Sequence, residues 1–364
     1  MTYTIPVELT SSPKPKPAHH NQAFGTVFTD HMFILDYDAK KGWHDPRIVP
    51  YQPIQLDPAA KVFHYGQTVF EGLKAYLTED RRILMFRPNK NIERLNLSNR
   101  RLSIPDLDEE LVLEALKQIV LVDRDWIPSE PGTSLYIRPF VIATEPVLGV
   151  APSLQYKFMI ILSVVGSYYA EGINPVGIYV EPKYVRAVVG GVGNAKTAGN
   201  YAAGLKAQDE ATAKGYSQVL WLDGVHRKYI EEVGSMNVFF KLGDTVVTPA
   251  LNGSILDGVT RSSVIQLLQH WGIPVEERAI SIDEIIEAHR SGTLVEAFGT
   301  GTAAVISPIG SLEWQDEKLV IGQGVTGELS SRVYDAITGI QRGILEDPFG
   351  WVIELPLEDA AKHS

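Results

Sequence analysis

Apolar and polar residues alternate with a period of two through TVFTDHMFILDY from Thr26, KVFHYGQTVFEGLKAYLT from Lys61 and RRILMFRP from Arg81. That period places every second side chain on one face of a strand, and turn residues separate the runs, so antiparallel strands are expected. Helical spacing follows twice. NKNIERLNLSNRRLS carries Ile92, Leu95 and Leu102, and DEELVLEALKQIVLVDRDW carries Leu111, Leu113, Leu116 and Ile119, with acidic residues at its start, where the helix dipole favours them. Two further strand patterns, SLYIRPFVIAT and YKFMIILSVV, complete a first half.

Gly166 to Pro182 is punctuated by glycine and proline and is read as the join between two halves, with the boundary near residue 172. Beyond it the periods predict a helix through NYAAGLKAQDEATAKG, strands at QVLWLDG and VGSMNVFFKL, and helices at TRSSVIQLLQHWG, SIDEIIEAHRSG and ELSSRVYDAITGIQRG. The mixed order indicates an α/β chain, and no repeat of solenoid length is present. Pro13, Lys14, Pro15, Lys16 and Pro17 mark a loosely held arm. The expected organisation is an arm over 1–23, a small α/β domain over 24–168, a linker over 169–178 and a larger domain over 179–364.

The 364 residues exceed one average domain. Lys and Arg number 33 against 44 Asp and Glu, a net charge of −11 that a nucleic-acid backbone repels, so nucleic acid is not expected as a partner. With no cysteine there is no disulfide, thiolate metal site or thiol nucleophile, and no metal is expected. The first 22 residues lack the apolar centre of a signal peptide, and the longest apolar run, Phe158 to Val165, is too short to span a bilayer. A cytoplasmic protein without a membrane partner is expected.

The most unusual segment is VGGVGNAKTAGNY, Val189 to Tyr201, where glycines crowd Lys196 just before a helix. It reads in three ways. It is a tight turn with a solvated lysine; or a phosphate loop of a nucleotide-binding module, with Gly190 six residues before Lys196 and Thr197 after it but Ala195 where that pattern needs glycine; or the site of a lysine nucleophile that forms a Schiff base with a carbonyl cofactor.

The segment GGVGNAKTAGNYAAGL resembles the lysine region of branched-chain aminotransferases, the fold-type IV enzymes that use pyridoxal 5'-phosphate. FGTVFTDHM, HYGQTVFEGLKA, NIERLNLS, SLYIRPFVIATEPVLGV, EVGSMNVFF, LDGVTRSSV and FGTGTAA are similar in order and spacing, over about residues 24–310. The resemblance implies a small α/β domain and a larger pseudo-barrel domain with the cofactor between them. It also implies a homodimer that moves an amino group reversibly between L-leucine, L-isoleucine or L-valine and 2-oxoglutarate, giving L-glutamate and a branched 2-oxo acid. Within the fold type, a D-amino acid aminotransferase or an aminodeoxychorismate lyase shares Lys196 and Glu232 but not the Tyr65, Tyr136 and Arg138 set.

Residue by residue, the resemblance makes Lys196 the Schiff-base and proton-transfer lysine and sets Glu232 against the ring nitrogen, where a carboxylate favours the pyridinium. Tyr201 is implied at the phenolic oxygen. Arg94, Val259, Thr260 and Thr302 are implied at the phosphate, and Ser235 among the cofactor residues. Thr260 is also read as a helix N-cap, and Glu231 as an exposed neighbour. Ala303 and Ala304 would receive the substrate α-carboxylate on backbone N–H groups. Tyr65, Phe70, Tyr136 and Tyr168 would line the side-chain pocket, Arg138 would meet a γ-carboxylate, and Val150 would close the partner's pocket. Either Phe24 or Phe28 would add to the wall.

Overall fold

Antiparallel pairing builds most of both sheets in the computed structural model, which describes residues 3–17, 23–166 and 173–356. The chain divides into two compact units, Met1–Tyr168 with Ala195–Ala198 and Ile340–Ser364, and Tyr169–Asn194 with Gly199–Gly339.

The first unit is an eight-stranded sheet carrying two long helices. Its strands are β1 (Phe28–Asp38), β2 (Gly42–Pro50), β3 (Thr68–Phe70), β4 (Leu73–Leu77), β5 (Ile83–Phe86), β6 (Ser134–Ala143) and β7 (Gln155–Val165), with a C-terminal strand, Val352–Leu355, paired to β5. From that strand the order runs β5, β4, β6, β7, β1, β2, and β3 adds to β6. The helices α1 (Lys61–Tyr65), α2 (Pro88–Arg101) and α3 (Glu109–Val122) differ in role. Asp108 caps α3 by accepting the N–H groups of Glu110 and Leu111 at 3.0 and 3.1 Å. Leu111, Ala115, Leu116 and Ile119 of α3 then share one buried core with Phe33, Leu135, Ile137, Phe158 and Ile160 of the sheet. Because strand side chains alternate, the same β6 that sends Leu135 and Ile137 into the core turns Tyr136 and Arg138 to the other face.

Three expectations about this unit change. KVFHY is the short helix α1, not a strand; Gly66, at φ 56°, closes it by donating its N–H to the Val62 carbonyl, and five residues are too few for a period to separate the two states. The N-terminal segment over residues 3–17 is held on the sheet. Ile5 is in the core, Ile48 exchanges backbone bonds with Pro6 and Glu8, and the Thr10 N–H donates to His31 Nε2 at 2.9 Å. Extended proline-rich backbone can bond to a strand edge as readily as it can wave free. Finally, residues 195–198 and the C-terminal strand join this unit through pairings distant in sequence.

The second unit holds β8 (Val176–Val180), β9 (Gln218–Leu222), β10 (Ile230–Val233), β11 (Asn237–Leu242), β12 (Thr245–Pro249), β13 (Val275–Arg278), β14 (Leu294–Gly301), β15 (Val305–Trp314) and β16 (Glu317–Val320). Their order is β10, β9, β8, β15, β14, β11, β12, β13, with β16 on β15. Most of α4 (Ala198–Ala213), α5 (Val259–His270), α6 (Ile282–Arg290) and most of α7 (Glu328–Gln341) belong to it. The join read over Gly166 to Pro182 contains β8, a central strand parallel to both β9 and β15, and the expected linker over 169–178 overlaps its first three residues. Pro175 and Pro182 flank the strand, and Gly177 lies within it. No helix among the described residues is long and apolar enough to cross a membrane, and no group of three metal-ligating side chains occurs among them.

Candidate active site

In the first unit, Lys196 is fixed by its backbone. Its N–H donates to Ser98 Oγ at 2.8 Å, its carbonyl accepts the Phe70 N–H at 3.0 Å, and the next hydroxyl, Thr197 Oγ1, donates to the Thr68 carbonyl at 2.7 Å. The residue thus lies along β3, and its ammonium nitrogen stands 4.8 Å from the centre of the Phe70 ring. These bonds disfavour the phosphate-loop reading: the threonine hydroxyl and the lysine N–H are already engaged, and the preceding strand β8 ends ten residues before Gly190.

Beside β3 is a buried ion pair that sequence reasoning missed. Glu71 Oε1 accepts Arg94 Nε at 2.7 Å, and Oε2 accepts Arg94 Nη2 at 2.9 Å and Asn91 Nδ2 at 2.8 Å. Burial pushes the Glu71 carboxyl up, but the charges of Arg94 and Lys196 and the bond from Asn91 outweigh it and hold the group below the usual carboxylate range. Asn91 and Arg94, three apart on α2, face the same carboxylate. The available signal was the single acidic residue inside TVFEGLKA.

Tyr136 and Arg138 meet on one face of β6, where Arg138 Nη2 donates to the tyrosine hydroxyl at 3.0 Å. The guanidinium also lies 4.8 Å from the centre of the Phe70 ring, and its Nε is buried without a hydrogen-bond partner. Gly72 permits this arrangement: a Cβ there would come within 1.9 Å of Tyr136 Oη. Phe24 sets its ring edge-on to Tyr136 at 4.8 Å, whereas Phe28 stacks on Tyr51. Tyr65 donates its hydroxyl to the Leu148 carbonyl, and Val150 is 85% exposed in the same loop region. Tyr168 lies outside the described residues.

In the second unit, Glu232 on β10 is buried. Its Oε1 accepts the Leu256 N–H at 2.8 Å, and its Oε2 lies 3.2 Å from Arg186 Nε in a charge contact. Arg186 Nη2 donates to the carbonyls of Gly193 and Ser254. Gly193 is required by closeness, since a Cβ would stand 2.1 Å from the Ser254 carbonyl oxygen. Glu231, expected to be exposed, is 2% exposed: β10 is covered on both faces, and Ser254 Oγ donates to its Oε1. Ser235 is exposed on the two-residue turn joining β10 to β11.

Helix α5 begins at Val259 with Gly258 as its N-cap and no side-chain cap bond. Thr260 is already helical, which rules out its expected capping role, and it is buried with Val259. A Cβ on Gly258 would lie 2.0 Å from Asn237 Oδ1, so glycine again admits a close approach. An uncapped helix N-terminus presents N–H groups that need an acceptor and favours an anion. Thr302, Ala303 and Ala304 form the turn between β14 and β15. Val305 follows at φ 62°, and the Ile306 N–H closes a three-residue turn onto the Ala304 carbonyl at 2.8 Å. A β-branched residue in this region is strained, and such strain gathers where a backbone must hold a ligand. Tyr201 is half-buried in the first turn of α4.

Residues 68–312 match the amino-transferase class IV family. The chain is 67% identical over 352 residues to a Bacillus subtilis protein named branched-chain-amino-acid aminotransferase 2, covering 97% of each. Its structure is similar to that of the Escherichia coli branched-chain amino acid aminotransferase, with a TM-score of 0.74 at 25% identity and 90% and 99% of the two chains covered. It is equally similar, with a TM-score of 0.74 at 26% identity and 89% and 98% covered, to the T.th. branched-chain amino acid aminotransferase solved with pyridoxamine 5'-phosphate. The chain belongs to the amino-transferase class IV family.

Proposed function

We propose that the protein is a branched-chain L-amino acid aminotransferase that exchanges an amino group reversibly between L-leucine, L-isoleucine or L-valine and 2-oxoglutarate, using pyridoxal 5'-phosphate. The observation that carries the reading is Lys196, whose backbone is tied to β3 while its amine stands beside the Phe70 ring and the Glu71–Arg94 pair. The full-length likeness to enzymes named for this reaction supports it.

The residues present fit the cofactor. The buried, uncapped N-terminus of α5 suits a phosphate, a buried carboxylate with a countercharge suits a ring nitrogen, and a positioned lysine suits an aldehyde. When bound, pyridoxal 5'-phosphate supplies an aldehyde that condenses with amines and a ring that withdraws electrons from the substrate's α-carbon. The resemblance supports Arg94, Val259, Thr260 and Thr302 as the phosphate residues. Glu232 accepts from the ring nitrogen, Tyr201 meets the phenolic oxygen, and Ser235 adds a hydroxyl.

Lys196 moves the proton at the α-carbon. The N–H groups of Ala303 and Ala304 receive the α-carboxylate. Tyr65, Phe70, Tyr136 and Phe24 form the wall for an aliphatic side chain. Arg138, with its buried Nε in need of an acceptor, meets the γ-carboxylate of glutamate.

Phe63, Val147, Leu148, Val150 and Leu154 are exposed apolar residues of the first unit, which supports a homodimer with Val150 reaching the partner's pocket. The acidic, cysteine-free composition supports a cytoplasmic setting. The test is the visible absorbance of the cofactor-loaded protein before and after L-leucine without an oxo acid. Bleaching of the visible band is expected; a colourless protein that gains no band with added cofactor rejects the reading.

A further inference from the structure

Arg186 is given no role of its own in the reading above, yet it is the countercharge of the carboxylate that reading depends on. Its side chain is 8% exposed and that of Glu232 is 4% exposed, with Nε 3.2 Å from Oε2. Two buried charges that touch stabilise each other's ionised form far more than they would in water. The arginine is itself immobilised: Nη2 donates to the carbonyls of Gly193 and Ser254, and Ser254 is held in turn by Asn252 Oδ1, which accepts its N–H at 2.9 Å, and by Glu231, which accepts its hydroxyl. Glu231 and Glu232 are adjacent on β10, so the strand sends them to opposite faces.

We propose that Arg186 is a positioning residue that keeps Glu232 ionised and aimed, so that a proton shared with the cofactor's ring nitrogen rests on the ring. This rests on the reading of Glu232 as the partner of that nitrogen. Without the guanidinium, a buried carboxylate gains proton affinity and takes the proton, leaving the ring neutral and the electron sink weaker. The Leu256 N–H is a neutral donor and carries no charge. Because Gly193 lies three residues before Lys196, the same guanidinium also ties this carboxylate to the backbone leading to the lysine.

The test loads the wild type, Arg186→Gln, Arg186→Lys, Glu232→Gln and the double variant Arg186→Gln/Glu232→Gln with pyridoxal 5'-phosphate labelled with ¹⁵N in the ring. The ¹⁵N shift reports ring protonation, and fluorescence quenching of the apoprotein reports cofactor affinity. Gln ends where the arginine Nε stands, so it keeps a neutral N–H toward Glu232 but removes both the charge and the Nη2 bonds to Gly193 and Ser254, whereas Lys restores the charge without that fork; a purely structural role therefore predicts equal shifts in Arg186→Gln and Arg186→Lys. The expected result is a shift toward the neutral ring in Arg186→Gln, about tenfold weaker cofactor binding, partial rescue in Arg186→Lys, and no further change in the double variant over Glu232→Gln. A wild-type ¹⁵N shift in Arg186→Gln overturns the proposal. A wild-type shift in Glu232→Gln shows instead that the reading of Glu232 is wrong.

Discussion

Both oxygens of the Glu71 carboxylate are committed to Arg94, at 2.7 Å to Nε and 2.9 Å to Nη2, in a side-by-side pair whose carboxylate is 1% exposed. Arg94 is the residue assigned to phosphate, so its fork is aimed by a partner. A guanidinium held by two parallel bonds cannot swing, and what it presents to an anion is set by the carboxylate behind it.

Replacing Glu71 by Gln takes a buried countercharge away from Arg94. The expected loss is about 3–5 kcal/mol of stability, read as a lower denaturant midpoint with an unchanged slope. Because the folded carboxyl is held below its unfolded value, its contribution is complete above about pH 4.3 and is lost as the pH falls through the folded pKa. Acid unfolding of the variant should therefore depend less steeply on pH below about 4 than that of the wild type. An equal slope in both rejects the assignment.

Lys196→Ala should reduce turnover to background while the protein still folds, because the backbone bonds of residue 196 to Ser98 and Phe70 and the Thr197 hydroxyl bond to Thr68 need no lysine side chain. Cofactor binding should persist, but a denaturing gel filtration should release all of it. Measurable steady-state transamination by this variant would remove Lys196 from the chemistry.

Arg138→Ala should lower kcat/KM for 2-oxoglutarate by roughly 10–100-fold, the worth of a charge-assisted bond in a dry pocket, with a much smaller loss for leucine. The paired measurement decides it, since equal losses mean that the arginine only supports Tyr136.

Gly72→Ala sets a methyl 1.9 Å from Tyr136 Oη and 2.8 Å from its ring carbon. The tyrosine must move, at a cost of about 1–3 kcal/mol, and Arg138 loses its hydrogen-bond acceptor. Tyr136→Phe in the same chain should recover part of the stability but not the substrate affinity; thermal melts and KM values of the two variants test this.

Much was legible in the chain because it is local. Alternation in SLYIRPFVIAT places Tyr136 and Arg138 on one face without any structure, and the 3.6 period of DEELVLEALKQIV predicts both α3 and its buried side. Five-residue α1 was misread for the same reason, since so short a run holds less than two turns of evidence. The loose arm expected over 1–23 was misjudged for residues 3–17 because their partners, Ile48 and His31, lie far along the chain.

Sequence alone determined the mixed α/β order, the glycine-flanked lysine and the motifs that mark an aminotransferase, because these are written in spacings of two to seven residues. Tertiary structure decided which charges meet. Glu71 with Arg94, Arg186 with Glu232, Gly193 against Ser254 and Gly72 against Tyr136 are contacts across 23 to 64 positions of chain. No period in a sequence encodes them; they follow from burial, which strips water from each charge and leaves only the partner that packing brings within reach.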